Sequence, residues 1–80
     1  MKVNIIGPMR NGSFNVHKAD CAGIKVDVQE GEPWLMEVNS QVEVADEVYA
    51  DIIAEHPNET GKDYLGEFNF KPCCKLPVEK

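Results

Sequence analysis

Eighty residues make one domain with one modest core, since a chain this short buries only about 60% of the surface it exposes when unfolded. Apolar residues at 42% and charged residues at 28% are ordinary globular values, and no run is both long and apolar enough to span a membrane, which excludes disordered and transmembrane readings. Fourteen acidic against eight basic residues leave a net charge of −6, which excludes direct nucleic-acid binding through phosphates and points to a basic protein surface as the electrostatic partner.

Lys2 to Ile6 carries Val3, Ile5 and Ile6 and reads as a strand ended by Gly7-Pro8. Its apolar run is too short for a signal peptide and lacks a small-residue cleavage site, so the expected location is the cytoplasm. Asn11-Gly12 is a turn signal. Ser13 to His17 then alternates with period 2, so Phe14 and Val16 face a core, Asn15 and His17 point the other way, and the two strands form a hairpin. Lys18 to Val26 permits a short helix through Ala19, Ala22, Ile24 and Val26, although Gly23 costs about 1 kcal/mol inside one. Asp27 to Pro33, rich in Gly, Glu and Pro, reads as a surface loop, and Trp34 to Val38 as a strand with Trp34, Met36 and Val38 on one face.

Ser40 to His56 is the stretch around which the chain is organised. Ser40 followed by Glu43 is a capping box, so a helix begins at Gln41, and Pro57 closes it at His56. At about 100° per residue, Val42, Ala45, Val48, Tyr49, Ile52 and Ile53 form the core arc. Asn58 to Asp63 is a loop. Tyr64 to Lys71 alternates as a strand that Pro72 ends. The fold class that follows is α+β, a small mixed sheet of about four short strands covered on one face by one long and one short helix. It is a single domain over residues 1–80.

Three features could carry chemistry. His17-x-x-x-Cys21, together with Cys73 or Cys74 and with His56 as a fourth candidate, offers the imidazole and thiolate donors that zinc prefers. No CxxC or HxxxH knuckle is present, adjacent cysteines do not readily bind one ion, and the odd cysteine count argues against a secreted disulfide framework. The expectation is therefore buried free thiols with no metal or other cofactor. A zinc site or a Cys21–Cys73 disulfide is the alternative. A catalytic reading needs a base beside a nucleophile, which Cys21 and His17 supply only if the segment between them is helical, and no phosphate loop or hydrolase motif occurs. A non-enzymatic protein is expected.

The run His17-Lys18-Ala19-Asp20-Cys21-Ala22, the Ser-capped acidic helix with Tyr49, Asp63-Tyr64 and Phe70-Lys71-Pro72-Cys73 together resemble a group of short uncharacterised proteins encoded by bacteriophages of actinobacteria. The resemblance spans most of the chain from His17 to Cys73. It implies that Cys21 and Cys73 are the positions to watch, with His17 beside them, and that the protein works in the cytoplasm of a host cell with a host or phage protein as partner. Gly23 stands where the group would carry Asp, and Cys74 is an addition.

The third feature is an acidic ladder, Glu43, Glu47, Asp51 and Glu55 at i, i+4 spacing with Asp46 alongside. Like charges at this spacing each oppose the helix by about 0.2–0.5 kcal/mol, and Asp51 and Glu55 lie at the unfavourable end of its dipole. A sequence tuned for stability alone would carry lysines there. The leading expectation is accordingly an interaction protein that docks this face on a basic surface of a host or phage protein. A small thiol- or zinc-dependent protein using His17, Cys21 and Cys73 is the second reading.

Overall fold

The computed structural model describes residues 1–79. Strand β1 (Lys2–Gly7) pairs antiparallel with β2 (Phe14–Lys18) in the register Ile5↔Val16. Gly12 in the connecting turn has φ +85°, a conformation that side chains other than glycine's adopt only with strain, and its N–H donates to the Met9 carbonyl at 2.8 Å. Strand β3 (Glu32–Glu37) pairs antiparallel with the other edge of β1, and β4 (Phe68–Phe70) runs parallel to β2. The four-stranded mixed sheet is the expected one, its order β3-β1-β2-β4 is not specified by the sequence pattern, and with its helices it makes a small α+β fold.

The two faces of the sheet differ in chemistry. Val3, Ile5, Val16 and Phe68 form one face and pack with Val38, Val44, Ala45, Cys74 and Leu76 into the core. Helix α2 (Gln41–Val48) covers this side, followed by α3 (Ala50–Glu55) and a 3₁₀ helix (Gly61–Glu67). The second face presents Asn4, Ile6, Asn15 and His17, because paired and alternate residues share a side. The one-turn helix α1 (Ile24–Asp27) brings Asp27 against His17 and so lies on this second face. The two helical layers thus divide between the faces.

Several local expectations change. Ser40 does cap α2, its Oγ accepting from the Glu43 N–H at 3.2 Å, and Glu43 reaches back to the N–H of Asn39 at 2.6 Å. The helix is not one uniform cylinder to His56, however. Tyr49 leaves helical geometry at φ −104°, ψ 21°, while Tyr49 N–H to Ala45 O and Ile53 N–H to Tyr49 O carry the bonding across the break. Its ring sits in an aromatic cluster, 4.6 Å from Tyr64 and 5.8 Å from Phe68 between centroids. The buried arc is therefore centred on Val44 and Ala45, both fully buried. Val44 was outside the expected arc, and Ile52, expected in the core, is 43% exposed.

The strand expected from Tyr64 to Lys71 is present only over Phe68–Phe70. Tyr64 to Glu67 belong to the 3₁₀ helix, which a second capping box starts: Asp63 accepts from the Thr60 N–H at 2.9 Å, and the Thr60 side chain accepts in return. Gly61 presses against α2 so closely that a Cβ there would collide with the Asp46 carboxylate. Period-2 spacing through Gly66 carried the reading too far. Strand β3 likewise begins at Glu32, two residues inside the expected loop.

Candidate metal and thiol centre

His17, Cys21 and Cys73 come from three separate parts of the chain and meet on the second face of the sheet. His17 is held by β2, where its partner across the ladder is Asn4, and it is 5% exposed. Cys21 follows a tight turn in which its N–H donates to the Lys18 carbonyl at 2.9 Å. Cys73 lies beyond β4. There the Lys71 N–H donates to the Val16 carbonyl at 3.0 Å, tying the segment beside His17, and the Cys74 N–H returns to the Lys71 carbonyl at 2.8 Å. Pro72 suits the second position of that turn, since its fixed φ is preset for it. The turn sends the two adjacent sulfurs to opposite sides: Cys73 toward His17, Cys74 into the apolar core, where burial pushes its thiol pKa up.

One donor atom from each of His17, Cys21 and Cys73 lies within 4.8 Å of the other two. Cys73 Sγ is 3.7 Å from His17 Nδ1. The other ring nitrogen, Nε2, bonds Asp27 Oδ2, and the side chains of both residues are largely shielded from water. A carboxylate on Nε2 favours a proton there and leaves Nδ1 on the side of the sulfurs, the arrangement in which a metal-bound histidine is oriented by a carboxylate. The three cysteines are unbridged.

Two kinds of chemistry fit a carboxylate, an imidazole and a sulfur in this order. The first is metal binding, in which the carboxylate orients the histidine and the sulfurs are fellow ligands. The second is a thiol nucleophile, with His17 as base for Cys73 and Asp27 as its orienting group. Cys21 is compatible with both: for a metal it is the third donor, and beside a nucleophilic Cys73 it is a partner thiol that bridges it when an oxidant is supplied. The absence of a local knuckle is thus made good by the fold, which joins His17 and Cys73 across 56 positions.

The residue that sequence reading missed is Asp27, placed there in a surface loop. It sits at the end of α1, one residue beyond the Lys18–Val26 segment expected to form a short helix, and an extension of that helix by one residue is the signal that could have found it. His56 does not join this cluster.

The acidic ladder is distributed differently from its sequence expectation. Glu43 is occupied in capping α2, and Asp46 Oδ1 accepts from the Gly61 N–H at 2.7 Å, so two of the five acids organise the fold. Glu47, Asp51 and Glu55 are exposed, on either side of the break at Tyr49. Among the described residues no helix is long and apolar enough to cross a membrane. No family model, no curated protein and no solved structure matches the chain.

Proposed function

We propose that the protein is a small metal-binding domain that holds one zinc-type divalent ion through His17 Nδ1, Cys21 Sγ and Cys73 Sγ. The observation that carries this reading is the convergence of the three donors, with Asp27 on the far nitrogen of the imidazole. In a tetrahedral site with metal–ligand bonds of about 2.0–2.3 Å, neighbouring ligand atoms are about 3.3–3.8 Å apart. The 3.7 Å between Cys73 Sγ and His17 Nδ1 is already such an edge, and every separation in the set lies within 4.8 Å. Imidazole and two thiolates suit zinc and other borderline or soft ions, and suit calcium or magnesium poorly.

The ion's work in this reading is structural. It would tie β2, the turn before α1 and the segment after β4 into one unit, in a domain whose single core is small. The test is to measure metal content after purification without added metal, then to titrate metal-free protein with zinc while following thermal stability. One ion per chain and a rise in melting temperature that Cys73→Ser removes are expected. Substoichiometric metal, with no change in melting on adding zinc, would refute the assignment.

A further inference from the structure

We propose that Cys21 and Cys73 are a peroxide-responsive thiol pair, which hydrogen peroxide converts into a disulfide in the metal-free chain and which, once bridged, no longer holds the ion. The loss of the ion rests on the metal-binding reading; the bridge itself does not. Position carries the pair: the two sulfurs lie within 4.8 Å of each other although their residues come from distant parts of the chain, and both residues are partly open to water. A small oxidant reaches thiols so placed, and a sulfur oxidised there has its partner alongside.

Of the three thiols, the fold leaves one pairing. Cys74 is turned into the core at 6% exposure. It also follows Cys73 across a trans peptide, which sets their Cα atoms about 3.8 Å apart, short of the roughly 4.4–6.8 Å that a disulfide usually spans. Cys21 lies between exposed Asp20 and Ala22, ahead of a helix that buries none of its residues, so no core packing opposes its approach to Cys73. The roles within the pair follow from His17. Its Nδ1 stands 3.7 Å from Cys73 Sγ while Asp27 holds the far nitrogen, a base beside a sulfur with a carboxylate behind it, as an attacking thiol requires. Cys21 is then the resolving thiol.

The chemistry has two steps. In the first, His17 Nδ1 takes the Cys73 thiol proton, the sulfur attacks one peroxide oxygen, the O–O bond breaks, and the departing hydroxide collects that proton as water, leaving Cys73 as the sulfenic acid. In the second, the Cys21 sulfur attacks the Cys73 sulfur, the S–S bond forms as the S–O bond breaks, and the leaving hydroxide takes the Cys21 proton as a second water. Two thiols lose two electrons and one peroxide gains them. The thiolate is the metal ligand, so the bridge removes two of the three donors and leaves His17 alone. A bound ion, conversely, engages both sulfurs and slows their oxidation.

The experiment treats the full chain, reduced and stripped of metal, with a small excess of hydrogen peroxide, alkylates the remaining thiols in denaturant and maps the product by mass spectrometry. A bridge within one chain between Cys21 and Cys73, with Cys74 alkylated and the bridge reversed by dithiothreitol, is expected. Cys21→Ser should stop at a Cys73 sulfenic acid that dimedone captures; no adduct on Cys73 overturns the order of attack. Zinc-loaded protein should bridge several-fold more slowly and release zinc in step with the bridge, as read by a chromophoric chelator, and bridged protein that keeps its zinc overturns the exclusion. Three free thiols, bridges between chains, or Cys73 carried to the sulfinic acid with Cys21 still free would overturn the pair while leaving the metal site standing. Failure of the reduced protein to bind zinc removes the metal-binding reading and with it the exclusion, while the bridge is still read in the metal-free chain.

Discussion

Asp27 touches the proposed ion nowhere, yet replacing it should weaken metal binding. In Asp27→Asn the side chain keeps its shape, and the amide oxygen can still accept from His17 Nε2, but the full negative charge behind the imidazole is gone. The His17 side chain is 7% exposed and that of Asp27 15%, so water has little room to take over. Outer-shell partners of this kind are typically worth about 10- to 100-fold in metal affinity, or about 1.4–2.7 kcal/mol. The metal-free fold should suffer less, since exchanging a charge-assisted hydrogen bond for a neutral one costs about 1 kcal/mol. Competition for zinc against a chromophoric chelator gives the first quantity and thermal melting of the metal-free protein the second. If Asp27→Asn binds zinc within twofold of wild type, the carboxylate is not orienting a ligand, and the tautomer favoured for His17 loses its basis.

Val44→Ala should cost about 2 kcal/mol or more in thermal or denaturant unfolding, because the side chain is fully buried, whereas Ile52→Ala, at 43% exposure, should cost about 1 kcal/mol or less; the reverse order would mean that the helix is set in the wrong phase. In metal-free protein an alkylating reagent should modify Cys74 last, its thiol pKa being pushed up by burial, and zinc should protect Cys21 and Cys73; mass mapping that finds Cys74 modified first contradicts the core placement. The Tyr64 hydroxyl donates to Glu59, and that hydrogen bond lifts its pKa to about 12. Because the folded state holds this proton longer than the unfolded one, the contribution is intact below about pH 10 and fades as pH rises toward 12. Glu59→Gln should move the phenolate titration down, and an unmoved curve would break the assignment. Replacing Glu47 and Asp51 together with lysine should raise stability by a few tenths to about 1 kcal/mol, and a loss of stability would show that these acids have partners.

The parts of the fold legible in the sequence are those in which local chemistry and tertiary packing agree. Ser40 and Glu43 mark the start of α2 because the cap is satisfied within four residues, and the alternation from Phe14 to His17 survives because β2 lies between two neighbours that hold its phase. Where tertiary contacts decide, the pattern misleads. Nothing local says that Tyr49 will join Phe14, Tyr64 and Phe68 and interrupt the helix, and although Thr60 and Asp63 form a capping box, nothing local says that Gly61 will seat against Asp46 at the start of the 3₁₀ helix Gly61–Glu67. The candidate site divides in the same way. Its donors were legible as residue types, while their meeting depends on β4 lying beside β2 and on the turn at Pro72 that separates the directions of Cys73 and Cys74.

That dispersal bears on what a bound ion does for the fold. Helix α1 buries none of its residues, so its position on the sheet depends on Asp27 meeting His17 and on the turn that carries Cys21. Only His17 and Cys21 are near each other in sequence, and the third donor arrives 56 positions after His17. An unfolded chain therefore presents two local donors at most, and an ion prefers the folded chain by nearly its whole binding free energy. The stabilisation by such an ion would follow from its affinity and free concentration, and in a domain whose net stability is typically about 4–12 kcal/mol a tightly bound ion would contribute an amount comparable with the total. A CxxC knuckle would capture metal before folding and stabilise the two states more equally. Donors spread over β2, the turn before α1 and the segment after β4 would make metal occupancy a consequence of the assembled sheet and, in turn, a reason that α1 stays on it.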